Sequence, residues 1–325
     1  MARAGPGPPK AAPTRDDILG AAERIKGRAH RTPVLTCGSI DEMAGARIFF
    51  KCENLQKVGA FKFRGATNAV MSLSDDEAMK GVATHSSGNH AQALSLAARD
   101  RGIRAFIVMP ENSPKVKVEA VRGYGGEITF CKPTLEARES TLKDVQRRTG
   151  AHFVHPYDDP RVIAGQATAA KELLEDVPDL DLVMAPVGGG GLLSGTSLSA
   201  RYFSNGTLVI GAEPELANDA QISFRTGVLQ PHFPPVTVAD GLRTSLSPLT
   251  LSIIKDNVDD IVTVPEAGII RAMRLVWERM KLVIEPSAAV PLGTILERTT
   301  DVRGKRVGII LSGGNVDLDH LPWTV

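Results

Sequence analysis

Along most of the chain, short apolar runs alternate with segments whose apolar residues recur every three to four positions. The runs at 47–52, 81–85, 105–109, 127–130, 182–186, 208–212, 260–264 and 307–311 predict β-strands, and the segments 92–99, 164–174, 192–202 and 267–280 predict helices. Thr14, followed three residues later by Asp17, predicts an N-cap before an amphipathic helix carried by Ile18, Ala21, Ala22 and Ile25. Strand–helix alternation of this kind predicts an α/β fold, with open, mostly parallel sheets covered by helices on both faces. Several strands run out into small polar residues: Ser86-Ser87-Gly88-Asn89-His90, the four glycines from Gly188 to Gly191, and Ser312-Gly313-Gly314-Asn315. Ligands bind at that edge of open α/β sheets.

Composition narrows the picture. Only 5% of the 325 residues are aromatic, so the core is expected to be aliphatic, as between packed helices and sheets. A net charge of +1 without a long basic run points away from nucleic acid. No apolar run reaches the ~20 residues of a membrane span. Cys37, Cys52 and Cys131 are too scattered for a disulfide framework or a zinc site, and suit a reducing, cytoplasmic compartment. The stretch 1–13, rich in Ala, Gly and Pro and lacking an apolar stretch, reads as a disordered tail and not as a signal peptide.

Two segments carry candidate chemistry. In Gly59-Ala60-Phe61-Lys62-Phe63-Arg64, a lysine stands between two phenylalanines. Burial disfavours its charged form and can lower its pKa by up to ~3–5 units, giving a nucleophile or base; the plainer reading is a lysine reaching to water from a helix end. Gly188, Gly189, Gly190 and Gly191 follow a predicted strand and precede a predicted helix. Successive glycine N–H groups at a helix N-terminus form a phosphate cradle. The run matches neither a Walker loop nor G-x-G-x-x-G, although Glu213, at the end of the next strand, keeps a nicotinamide-dependent oxidoreductase open as an alternative.

Taken together, these segments resemble the fold-type II pyridoxal-phosphate enzymes, in particular the serine/threonine dehydratase and serine racemase family. The motifs that carry the resemblance are Glu53-Asn54-Leu55-Gln56, Phe61-Lys62, Ser86-Ser87-Gly88-Asn89-His90, His155-Pro156-Tyr157-Asp158-Asp159-Pro160, Ile163-Ala164-Gly165-Gln166, the tetraglycine, Glu285-Pro286-Ser287 and Ser312-Gly313-Gly314-Asn315-Val316-Asp317. The resemblance implies a two-domain, tryptophan synthase β-like fold: a large cofactor domain from 14–73 and 160–325, and a small domain at 74–159 inserted into it. It implies that Lys62 holds pyridoxal 5'-phosphate covalently, with Phe61 against the ring. Gly188 to Gly191 would hold the phosphate, Asn89 the ring hydroxyl, and Ser312 the ring nitrogen.

By the same resemblance, Ser86, Ser87, Asn89 and His90 would bind the substrate carboxylate, and Ser87 would serve as acid/base on the face opposite Lys62. Glu213, the carbonyl of Ala217 and Asp219 would form a divalent-cation site, and hard oxygen ligands suit Mg²⁺, Ca²⁺ or Mn²⁺. Arg138 would meet a second carboxylate of the substrate, which favours 3-hydroxyaspartate over serine or threonine. His85, His155 and Tyr157 are expected to be structural. The expected activity is dehydration and deamination of L-serine, L-threonine or 3-hydroxyaspartate to a 2-oxo acid and ammonia, in a homodimer; serine racemisation is the alternative within the family.

Overall fold

The protein is described by a computed structural model that covers residues 11–231 and 236–323. Among the described residues, ten strands form two sheets: β1 (Val34–Leu35), β2 (Arg47–Cys52), β3 (Val82–His85), β4 (Ala105–Pro110), β5 (Gly126–Cys131), β6 (His152–Phe153), β7 (Leu182–Pro186), β8 (Leu208–Pro214), β9 (Asp260–Val264) and β10 (Arg306–Leu311). The larger sheet has the order β1-β2-β10-β7-β8-β9, with only β1 antiparallel, and the smaller sheet β5-β4-β3-β6 is parallel throughout. All eight expected strands are present. The two that the pattern does not show, β1 and β6, are two residues long, too short for a period to register.

Period-two alternation divides each strand between two cores. In the larger sheet, Ile48, Phe50, Leu182, Met184, Val307, Ile309 and Leu311 pack with the helices Glu266–Met280 and Pro286–Leu296. Their neighbours Phe49, Val183, Ala185 and Ile310 face the opposite side, toward the helices Pro160–Asp176 and Gly191–Phe203. The smaller sheet divides likewise: Val82, Ala105, Ile107 and Met109 go to one core, Ala83, Phe106 and Val108 to the other. Helices therefore cover both faces, and the aliphatic composition follows from the narrow space between those layers.

The expected N-cap is a full capping box between Thr14 and Asp17, and Ile18, Ala21 and Ile25 of the helix Arg15–Ile25 are buried. Most of the tail expected over 1–13 lies outside the described residues; Pro13 is already buried and accepts a hydrogen bond from Tyr202 Oη. No described helix is long and apolar enough to cross a membrane. The three cysteines are free.

The helix Lys62–Met71 is seated by two devices. Gly65 and Gly165 let it cross the helix Pro160–Asp176 closely, since a Cβ on Gly165 would lie 2.6 Å from the Gly65 Cα. Gln166 Oε1 accepts the Gly65 N–H at 3.1 Å. Beside this crossing lies a buried ionic cluster. Arg64 Nε donates to Glu53 Oε2 at 2.8 Å, its Nη1 donates to Glu172 Oε1 at 2.8 Å, and Lys51 Nζ reaches Glu172 Oε2 at 2.7 Å. The side chains of Arg64, Glu53 and Lys51 have no exposure. Burial alone would raise the Glu172 carboxyl, but Arg64 and Lys51 hold it below its ordinary value. Replacing Glu53 by Ala leaves Arg64 short of a partner in the interior. Stability should fall by ~3–5 kcal/mol in denaturant titration, and a loss under ~1 kcal/mol would show that the cluster does not hold the helix.

Candidate active site

Lys62 opens its helix, with Phe61 at the N-cap. Main-chain bonds fix the approach: Phe61 N–H donates to the Ser312 carbonyl at 3.0 Å, and Ala60 pairs with Gly313. The end of β10 therefore lies beside the lysine. Lys62 Nζ donates to the Pro156 carbonyl at 2.8 Å and stands 5.1 Å from the Phe61 ring centroid. Desolvation lowers its pKa to about 8, opposed by the charge of Glu285. The lysine occupies a helix end, but its amine bonds a main-chain carbonyl instead of reaching to water.

β7 runs out into Gly188, Gly189, Gly190 and Gly191, all buried, with Gly190 at φ +83° as N-cap of the helix Gly191–Phe203. A Cβ on Gly189 would stand 2.3 Å from the Tyr157 ring, one on Gly190 2.7 Å from Leu246, and one on Gly188 3.1 Å from the Leu242 Cα. Side chains are excluded, so main-chain N–H groups at a helix N-terminus are what the loop presents, and they fit a phosphate. Tyr157 links this loop to the lysine, because it adjoins Pro156, whose carbonyl Lys62 engages. Burial, then the charges of Asp158, Asp219 and Glu139, push its phenol up to about 12.

The helix after β3 begins at Asn89, three residues before the expected start, with Gly88 as N-cap. Ser86 Oγ accepts the Gly88 N–H at 3.3 Å, which turns the loop, and Ser87 lies half-buried within it. The N–H groups of Asn89 and His90 open the first turn, where an α-helix has no internal acceptor for them. His90 faces a different way from the one its motif suggests. Its ring is 2% exposed and Nε2 meets the Val154 carbonyl at 3.0 Å, so that nitrogen carries the proton. Burial, and then the charge of Lys62, lower its pKa to about 3. Toward an anion, His90 therefore offers its main-chain N–H. Asn89 Nδ2 contacts Glu285 Oε1 and Oε2 at 3.0 and 3.2 Å, beside Gly313.

Arg138 lies in the helix Leu135–Thr149, half-buried, with Nε buried and without a hydrogen-bond partner among the described residues. It acts electrostatically on His85, whose pKa is lowered first by burial and also by Arg138, against Glu139. At the end of β8, Glu213 is 1% exposed and its two oxygens accept the N–H groups of Ala220 and Gln221 at 3.0 and 2.9 Å. Asp219 is 5% exposed and Ala217 fully buried. Burial first, and Asp219 in addition, push the Glu213 carboxyl well above its ordinary value. Two acidic groups buried together are what a divalent cation relieves, and the donors are the hard oxygens such a cation takes. Among the described residues no three His, Cys, Asp or Glu side chains gather into a metal cluster, so such a site would need the Ala217 carbonyl and water.

Sequence reasoning did not find the roles of four contributors: the Pro156 carbonyl, Tyr157, Glu285 and Asn315. Two of them stand in motifs whose chemistry depends on partners 94 and 196 positions away, which no local pattern displays. His155 Nδ1 accepts the N–H groups of Tyr157 and Asp158 at 3.3 and 2.9 Å and so forms the turn.

Known proteins share this arrangement of sequence and fold. The sequence profile of the family described as pyridoxal-phosphate dependent enzyme matches residues 25–313. The β-hydroxyaspartate dehydratase of Paracoccus denitrificans is 55% identical over 311 residues, covering 96% of this chain and 99% of the relative. The crystal structure of serine racemase from Dictyostelium discoideum superposes with a TM-score of 0.91 at 51% identity, over 95% of this chain and 100% of that one. The structure of maize serine racemase gives a TM-score of 0.93 at 44% identity, over 95% of each chain.

The lowered pKa of Lys62 has a measurable consequence. At pH 7 about a tenth of its amine is free base, against a few parts in ten thousand for a lysine at ~10.4. The rate at which the cofactor-free protein forms an imine with added pyridoxal phosphate should rise with pH to a midpoint near 8. A midpoint near that of free lysine would refute the burial argument. An enclosed, partly neutral amine beside a glycine cradle is what an aldehyde carrying a phosphate requires, and with the match over 25–313 it follows that the chain belongs to the pyridoxal-phosphate dependent enzymes, with the fold-type II architecture.

Proposed function

We propose that the protein eliminates water from a small β-hydroxy amino acid, giving a 2-oxo acid and ammonia, and that 3-hydroxyaspartate is the preferred substrate. The observation that carries this reading is the enclosed Lys62 amine at 2.8 Å from the Pro156 carbonyl, one residue from the ring that walls the glycine cradle. Relatives over nearly the whole chain include the Paracoccus dehydratase and an L-threo-3-hydroxyaspartate ammonia-lyase of Saccharomyces cerevisiae, 49% identical.

When bound, the cofactor supplies an electron sink for the charge left at the substrate's Cα. Gly188 to Gly191 hold its phosphate through main-chain N–H groups, Asn89 its ring hydroxyl, and Ser312 its ring nitrogen with a neutral hydroxyl. Lys62 Nζ, freed as the substrate's amine replaces it on the cofactor, takes the α-proton, which its lowered pKa permits at neutral pH. The N–H groups at Asn89 and His90 and the hydroxyls of Ser86 and Ser87 receive the α-carboxylate. Arg138, with a buried Nε that no described group engages, receives the second carboxylate. The protonated Lys62 amine gives a proton to the hydroxyl, which leaves Cβ as water, and hydrolysis of the resulting enamine or imine releases ammonia. A second reading is serine racemisation, in which Ser87 would act as acid/base opposite Lys62; several relatives named serine racemase favour it. Glu213, Ala217 and Asp219 hold a divalent cation, and the chain works as a homodimer in the cytoplasm, where its three free cysteines stay reduced.

Keto-acid assays with L-serine, L-threonine and the 3-hydroxyaspartate isomers, run alongside assays for D-serine, separate these readings. In Arg138→Leu the kcat/KM for 3-hydroxyaspartate should fall at least ~100-fold, the scale of a lost bidentate carboxylate contact, while that for serine changes little. Equal losses on both substrates would sink the assignment. For the cation, chelator should lower the Tm and activity, and Mg²⁺, Ca²⁺ or Mn²⁺ should restore both. Chelated protein with an unchanged Tm would rule the site out.

A further inference from the structure

We propose that Glu285 is a positioning residue for the cofactor ring: with Asn315 and the carbonyl of Val58 it locks the Asn89 amide so that one N–H points at the ring hydroxyl. The proposal rests on the reading of Lys62 as the cofactor lysine.

The direction of these hydrogen bonds follows from one atom. Val58 and Gly59 both take left-handed backbone angles, φ +57° and +68°, and Val58 is a β-branched residue for which that region is unfavourable. The turn presents the Val58 carbonyl to Asn315 Nδ2 at 2.7 Å. A carbonyl only accepts, so the Asn315 atom facing it is nitrogen. The same nitrogen reaches Asn89 at 2.9 Å, so the Asn89 atom there is oxygen. Asn89 Nδ2 must then face Glu285, whose two oxygens it meets at 3.0 and 3.2 Å. One hydrogen shared between two nearly equidistant oxygens accounts for both contacts and leaves the second hydrogen uncommitted to Glu285. Gly59 is required here, since a Cβ would lie 2.7 Å from Asn315 Oδ1, and so is Gly313, whose Cβ would lie 2.7 Å from Glu285 Oε1.

Glu285 is also placed to sense protons. It is 4% exposed, and the charged groups facing it are the Lys62 amine, Asp240 and Lys117, the last two paired at 2.6 Å. Burial first, then Asp240, push its carboxyl up to about 7, while Asn89, Lys117 and the Asn315 N–H pull it down. Below that pH it is neutral. Above it, a negative charge stands one hydrogen-bonded residue from the ring hydroxyl and raises the proton affinity of the imine nitrogen at Lys62.

The test uses the holoenzyme and Glu285→Gln, which keeps volume and an acceptor but cannot titrate. The pH titration of the imine absorbance should show a transition near 7 in the wild type that is absent in E285Q. Cofactor affinity, read by fluorescence quenching, should weaken about tenfold in both Glu285→Ala and Asn89→Ala, with the double variant no weaker than Asn89→Ala alone. Circular dichroism checks folding, and E285Q carries the test if Glu285→Ala does not fold. A wild type without imine absorbance overturns the reading of Lys62 and this proposal with it. An E285Q titration that overlays the wild type, or single losses that multiply in the double variant, overturns the role of Glu285 alone.

Discussion

Arg64, fully buried two residues beyond Lys62, determines where the reactive amine can stand. Its guanidinium binds Glu53 at the end of β2 and Glu172 on the helix Pro160–Asp176 at the same time, and Lys51 closes the cluster through Glu172. Buried ion pairs roughly break even against desolvation, so the net gain in stability over an apolar replacement is small. What the cluster supplies is direction. A planar fork held from two sides fixes the first turn of the helix Lys62–Met71 in position and rotation, and Lys62 sits on that turn. The close Gly65–Gly165 crossing adds a limit on distance, so the lysine cannot drift along or away from the sheet.

On that fixed base, the cleft is assembled from strand ends. The Ser86–His90 loop follows β3, the His155–Tyr157 turn follows β6, the tetraglycine follows β7, Glu213 closes β8, and Ser312 follows β10. Every one is a C-terminal end in a parallel sheet, where loops splay and helix N-termini collect. The smaller sheet contributes the first two and the larger sheet the rest, so the site is drawn from the strand ends of both sheets. The turn at His155 to Tyr157 is what joins them: Pro156 reaches Lys62 and Tyr157 covers the glycines.

This explains what could be seen in the sequence. Strands such as β7 and β10 are continuous apolar runs bounded by glycine, and a parallel sheet covered on both faces demands that signal. The tetraglycine was legible as a cradle because the reason for glycine is local: a strand end, a positive φ at Gly190 and a helix start. The roles of Pro156, Glu285 and Asn315 were not legible. A main-chain carbonyl has no sequence signature, and a glutamate before a proline reads the same whether it faces water or Asn89. The orientation of His90 was hidden for a similar reason, since its partner is the carbonyl of Val154 on a neighbouring strand end. Residues whose chemistry depends on their own segment can be read from the sequence, whereas those whose chemistry depends on a distant carbonyl need the fold.

The charge state of the cleft follows from these burials. His90, lowered to about 3, and Tyr157, raised to about 12, are both neutral near pH 7, each for lack of solvation. Lys62 and Glu285, at about 8 and 7, can change charge in the neutral range, and they stand within each other's field. The loops after β3 and β7 thus offer an anion oriented N–H groups at helix N-termini in place of fixed cations. Such groups bind a phosphate or a carboxylate without raising the local positive charge that would lower the lysine further and weaken it as a base. A substrate with a second carboxylate adds a negative charge that these N–H groups do not reach. On the proposed reading Arg138, whose Nε has no hydrogen-bond partner among the described residues, would meet it. Selectivity between serine and a dicarboxylate would then rest on that one guanidinium, separate from the machinery that breaks the Cα–H bond.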